Sequence, residues 1–116
     1  MAMKAKDAEP TARYADIMAA LGSEPRLRIL RLLLSAHPDG MVVNEIQSEL
    51  EIAGSTLSHH LEKLRNEDLI TVTRESTCLR YRANAAVLQE VLTFLFAECC
   101  QRSNCVSAEQ VVKLCT

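Results

Sequence analysis

Apolar positions recur along this chain at helical spacing for most of its length, then switch once to strict alternation. Tyr14, Ile17, Met18 and Leu21 fall at i, i+3, i+4 and i+7, which predicts a first helix over about 11–21. Gly22 ends it. Ser23 is placed to cap a second helix, with Pro25 tolerated in its first turn. Leu27, Leu30 and Leu34, helped by Ile29 and Leu33, mark the expected buried face of that helix. His37-Pro38-Asp39-Gly40 is a turn signal. A short third helix follows, with Val43, Ile46 and Leu50 inward, and Glu51-Ile52-Ala53-Gly54 turns the chain into a fourth. There Leu57, Leu61 and Leu64 make one apolar stripe, and Ser55 is the expected N-cap. After Asp68 the period drops to two: Ile70 and Val72 alternate with Thr71 and Thr73, then Leu79 and Tyr81 with Arg80 and Arg82. Glu75-Ser76-Thr77 joins the two runs into a β-hairpin. From Asn84 the pattern is helical again, to Glu98 or Cys100.

The predicted fold is mainly α with a small β-hairpin, in the order α-α-α-α-β-β-α: a winged helix-turn-helix. Residues 1–10 read as a flexible tail, 11–102 as the DNA-binding and dimerisation domain, and 103–116 as a C-terminal segment carrying a further cysteine. In the last helix Val87, Leu88, Val91, Leu92, Phe94, Leu95 and Phe96 cover more than the roughly 100° stripe that a surface helix needs. One face can pack on its own domain. The surplus calls for a second partner, and a two-fold mate is the simplest, so a homodimer is expected. Two copies would address DNA half-sites about one helical turn apart.

The first turn of the fourth helix carries two hydroxyls and two imidazoles opposite its apolar stripe. Short polar side chains at the start of the second helix of such a pair can enter a major groove. Ser55, Thr56, Ser58 and His59 are therefore candidate DNA contacts, against the plainer reading of capping and solvation. Gln47, on the exposed side of the preceding helix, could reach phosphate. Arg74, Arg80 and Arg82 on the hairpin are either a solvated wing or cations for a narrow minor groove. The net charge of −2 argues mildly against nucleic acid, but Lys63, Arg65 and the three hairpin arginines concentrate positive charge mid-chain.

At 116 residues the chain is sized for one domain, and with 48% hydrophobic residues but only 3% aromatic, aliphatic side chains must fill its core. No apolar run approaches the ~20 residues of a membrane span, and the first ten residues lack the apolar stretch of a secretory signal. A cytoplasmic location is the expectation, where thiols stay reduced.

That matters because there are five cysteines, three of them within seven residues: Cys99, Cys100 and Cys105. Thiolates select soft ions. Trivalent arsenic takes three sulfurs in a pyramid, and this cluster supplies that number. On a continuous helix Cys99 and Cys100 point ~100° apart, and Cys105 lies ~9 Å further along the axis. Joint binding within one subunit therefore needs the helix to end or unwind after Cys100. The alternatives are incidental apolar cysteines and a redox sensor in which Cys100 and Cys105 close a disulfide. Cys78 and Cys115 read as spare.

With Leu21-Gly-Ser-Glu-Pro-Arg-Leu-Arg-Ile-Leu-Arg-Leu-Leu33, Ser55-Thr-Leu-Ser-His-His-Leu61 and the hairpin, the chain resembles the ArsR/SmtB family of metalloregulatory repressors over about 12–102. The resemblance implies a dimeric winged-helix repressor that holds operator DNA until an inducer binds, and it adds His60 to the DNA-contact candidates. Many members carry a cysteine pair at the start of the third helix; Val42 and Asn44 stand at those positions here. Others bind zinc through Asp and His of the last helix, and residues 84–102 contain no His. What remains resembles the arsenite-responsive subgroup with a vicinal cysteine pair late in the last helix and a third soon after. The expectation is an arsenite-responsive repressor that needs no cofactor, with antimonite as an equally thiophilic inducer. Thiol-redox sensing or Cd, Pb or Zn sensing on the same fold is the alternative. An enzyme is disfavoured, because there is no Cys-x-x-Cys, no βαβ pattern and no anion-cradling loop. A winged-helix interaction module without an inducer is the remaining class.

Overall fold

Pro10 opens the first helix as its N-cap, and the Tyr14 N–H donates to the Pro10 carbonyl at 3.1 Å. The computed structural model describes residues 10–98. Helix α1 spans Thr11–Leu21 and α2 spans Glu24–Ser35; strand β1 is Met41–Val42, followed by α3 (Val43–Leu50) and α4 (Gly54–Asn66). Strands β2 (Ile70–Glu75) and β3 (Cys78–Ala83) form the hairpin, and α5 spans Ala85–Phe96. The chain forms two compact units, one ending at Asn84 and the other beginning at Ala85.

Aliphatic residues carry the core, as the scarcity of aromatics requires. Ile17, Ile29, Leu33, Ile46, Leu57, Leu61, Leu64, Leu69 and Ile70 are all fully buried. Each such side chain contributes about 1.5–3 kcal/mol of hydrophobic free energy. The α4 stripe is buried as its spacing predicted. On α1 and α2 the buried residues are Ile17, Ala20, Ile29, Leu30 and Leu33, while Met18 and Leu27 are 44% and 45% exposed. Tyr14, Leu21 and Leu34, also expected inward, are half-buried. An unbroken run such as Leu32-Leu33-Leu34 fits several helical phases, and only packing picks one. On α3 Ile46 is buried, whereas Val43 and Leu50 are half-buried.

The sheet has three strands in the order β1-β3-β2, all antiparallel, where the pattern predicted a two-stranded hairpin. Met41 pairs with Tyr81 and Val42 with Arg80. Gly40, which leads into β1, has φ +76°. A Cβ there would collide with the Tyr81 carbonyl oxygen and lie 2.7 Å from Cγ of Arg82, so only glycine fits. The hairpin loop is two residues, Ser76-Thr77, with Ser76 at φ 58°; Glu75 belongs to β2. Helix α5 starts at Ala85, because Asn84 is held in the first unit: its N–H donates to the Leu69 carbonyl and its Nδ2 to the Asp68 carbonyl, both at 2.9 Å. It ends at Phe96, short of the Glu98 or Cys100 expected, and residues 97–98 form a turn.

Candidate nucleic-acid interface

The pair α3–α4 is joined by Glu51-Ile52-Ala53. Glu51 closes α3 in the left-handed conformation (φ 52°), and its N–H donates to the Gln47 carbonyl at 2.8 Å. At the other end of α3, Glu45 Oε1 accepts from the Val42 backbone N–H at 3.0 Å; Val42 has no side-chain acceptor with which to return the bond. Ile46 of α3 and Leu57 of α4 are both fully buried.

Helix α4 begins two residues earlier than expected. Gly54 is its first residue and Ala53 its N-cap, with no side-chain capping bond, so Ser55 lies inside the first turn. The first turn's amide donors have no intrahelical carbonyl to pair with, and they sit at the positive end of the helix dipole. Ser55, Thr56, Ser58 and His59 are all exposed beside them. Ser55 and His59 are one turn apart, and Lys63 continues the same line toward the basic last turn with Arg65. This is a polar, donor-rich edge. Gln47 is half-buried, its amide packed near Gly54 at the start of α4.

His60 stands apart from that row. It is half-buried, and its Nδ1 accepts from Arg26 Nη1 at 3.3 Å. Arg26 Nε donates at 2.6 Å to the Ala20 carbonyl at the end of α1. Burial holds the His60 pKa below the ordinary 6.5, and the charges of Arg26, His59 and Lys63 lower it further. The His59 and His60 rings lie 5.9 Å apart, tilted at 54°. Arg26 escaped the sequence reading, although one signal was available. A cation in the first turn of a helix opposes the dipole, so Arg26 at that position points to a use elsewhere.

The three hairpin arginines have different surroundings. Arg80 Nε donates to Glu75 Oε1 at 2.9 Å, and its Nη1 donates to the Gly40 carbonyl at 3.3 Å and the Asp39 carbonyl at 3.5 Å. The Glu75 hydrogen bond raises the pKa of Arg80 still further. Arg82 Nη1 donates to Thr73 Oγ1 at 2.8 Å, and its Nη2 lies 3.7 Å from Glu75 Oε2. Arg74 is exposed and has no hydrogen-bond or ion-pair partner among the described residues.

A helix-turn-helix domain model matches residues 21–73, the segment from α2 into the hairpin. The chain is 30% identical over 91 residues to the transcriptional activator HlyU of Vibrio cholerae, covering 78% of this chain and 82% of that protein. The chain belongs to the ArsR/SmtB-like family of winged helix-turn-helix transcriptional regulators. Among solved members of this family, reduced HlyU of Vibrio cholerae is 28% identical, with a TM-score of 0.63 over 84% of this chain and 99% of that one. An ArsR-like regulator from a Rhodococcus species is 26% identical, with a TM-score of 0.64 over 90% of this chain and 89% of that one. Regulators of this family bind DNA, and α4 with the β2–β3 wing is the candidate surface for it here.

Among the described residues no group of three or more His, Cys, Asp or Glu could hold a metal ion, and no helix is long and apolar enough to cross a membrane. Cys78 is an exposed free thiol on β3. Cys99, Cys100, Cys105 and Cys115 lie outside the described residues.

Proposed function

We propose that this regulator is a homodimeric repressor that holds operator DNA through α4 and the wing, and that As(III) captured by Cys99, Cys100 and Cys105 releases it. The observation that carries the DNA half is the exposed row Ser55, Thr56, Ser58 and His59 beside the uncapped amides of α4. Backbone amides at a helix N-terminus attract phosphate, and short hydroxyl and imidazole groups reach base edges from there. Arg74 on the wing supplies a cation not committed within the described chain. Helix α5 supports the dimer, since Leu95 is 49% exposed. The inducer half rests on three soft donors in seven residues, which match the coordination number of trivalent arsenic. A ligand displaces the regulator only by binding its DNA-free state more tightly.

A duplex selected from a random library, followed by fluorescence anisotropy with reduced protein, tests the reading. Arsenite at one equivalent per subunit is expected to release the wild type and to leave Cys105→Ser bound. Release of Cys105→Ser at the same arsenite concentration would remove the three-sulfur site. A reporter gene behind the selected duplex reads the sign of regulation, and loss of the protein is expected to raise expression.

A second reading has its own support. One relative was solved as reduced HlyU, a redox state given in its name, which favours redox sensing on this fold. On that reading an oxidant such as diamide releases the duplex without arsenite, and Cys100→Ser abolishes the effect.

A further inference from the structure

Arg26 joins three helices at one point. Its Nε donates to the last carbonyl-bearing turn of α1 through Ala20, its backbone lies in the first turn of α2, and its Nη1 donates to His60 on α4. Arg26 and His60 are 34 residues apart, and both bonds are partly buried. A guanidinium has five donors and no acceptor. Its contact with His60 is therefore a hydrogen bond only if Nδ1 is unprotonated, which places the imidazole proton on Nε2. We propose that Arg26 is a positioning residue for DNA recognition: by donating to Nδ1 it fixes His60 as an Nε2–H donor and ties the first half of α4 to α1 and α2. The inference rests on α4 being the groove-entering helix.

The surroundings of His60 agree with this assignment. Arg26 approaches it from α2, and His59 and Lys63 flank it on α4; all three disfavour a charged imidazole. Two carboxylates, Asp16 of α1 and Glu67 after α4, line one cleft with Arg26 and Lys63. Neither is among the groups that shift His60. Protonation at Nδ1 would set two cations against each other at 3.3 Å and break the link. Acid is thus expected to loosen α4 at the residue beside His59.

Two measurements decide the matter, and the first needs no DNA. Long-range nitrogen–proton correlation spectra of the wild type at pH 7.5 should show His60 with its proton on Nε2, and in Arg26→Gln its titration midpoint should rise toward that of a free imidazole. A proton on Nδ1, or equal midpoints in the two proteins, overturns the proposal. The second measurement is affinity for the selected duplex across salt concentrations. Arg26→Gln should bind about tenfold more weakly, the loss of one hydrogen bond from a charged donor, with an unchanged slope of log affinity on log salt. A phosphate-contacting cation would instead lower that slope by about one, and such a change overturns the positioning role. If Arg26→Gln does not fold, Arg26→Lys replaces it: with the charge kept and the two-pronged donor lost, affinity should still fall at an unchanged salt slope, and wild-type affinity would overturn the proposal. Failure of the wild type to bind any duplex would count against α4 as the reading helix, whereas the spectra test Arg26 itself.

Discussion

Three arginines that look equivalent on the wing do different work. Arg80 and Arg82 share Glu75, and Arg80 also holds the Asp39 and Gly40 carbonyls; Arg74 is uncommitted among the described residues. Arg74→Ala is therefore expected to weaken binding to every duplex and to flatten the salt slope by about one, as loss of a phosphate contact does. Arg80→Ala should leave the slope nearly unchanged. Anisotropy titrations at four salt concentrations check both, and a steeper loss for Arg80 would reverse the assignment. Glu75 then acts as a brake on the wing. Glu75→Gln removes the carboxylate that both guanidinium groups face, while Arg80 keeps the Asp39 and Gly40 carbonyls and Arg82 keeps Thr73, and it should steepen the slope by about one. His60 carries a prediction about stability. Its folded-state pKa lies below 6.5, so the unfolded chain binds more protons in that window. Stability should fall as the pH drops from 6.5 through the lowered value, and the fall should shrink in His60→Asn. Urea unfolding at pH 7.5 and pH 5.5 measures it; an equal fall in both proteins would clear His60 of the effect.

At the scale of elements, the helices were legible where one face alone is apolar and illegible where apolar residues run on. The Leu57-Leu61-Leu64 stripe has polar neighbours on every other face, and it is buried as read. The run from Leu27 to Leu34 offers several phases, and the fold chose Ile29, Leu30 and Leu33. Leu57→Ala should thus cost about 2–5 kcal/mol, the range for a fully buried leucine, and Leu27→Ala much less, as chemical denaturation would show. Strand β1 had no chance of being read. Two residues have no period, and Met41–Val42 is a strand only because β3 lies beside it. Its one trace in the sequence is Gly40, legible as a turn residue but not as the pivot between turn and strand. Gly40→Ala forces a methyl group into the Tyr81 carbonyl and a side chain into a left-handed φ. A loss of at least about 2 kcal/mol in stability is expected. The start of α4 was misjudged by two residues for a related reason: Ser55 is a good capping residue in isolation, yet Glu51 turns left-handed early enough for Ala53 to be the N-cap and Gly54 the first helical residue.

At the scale of the whole molecule, reading DNA and sensing an inducer become one problem of symmetry. A single wing and a single α4 make few phosphate contacts, and the wing spends two of its three arginines on Glu75. Two copies related by a two-fold axis double those contacts and lay them on two half-sites. Leu95 is the residue through which to test this, because it is the most exposed of the large hydrophobic side chains among the described residues and belongs to α5. In an isologous interface each substitution is met twice. Leu95→Glu would bring two carboxylates into one apolar contact, where neither finds a partner and both lose water. Sedimentation should then show the monomer mass at concentrations where the wild type is a dimer. Affinity for a duplex with two half-sites should fall to that for a duplex with one. The two readouts are linked but separable. A monomeric Leu95→Glu that still preferred two half-sites would mean that DNA, rather than α5, brings the copies together. A dimeric one would move the interface off Leu95 altogether. If both change together, α5 is the element that joins the subunits.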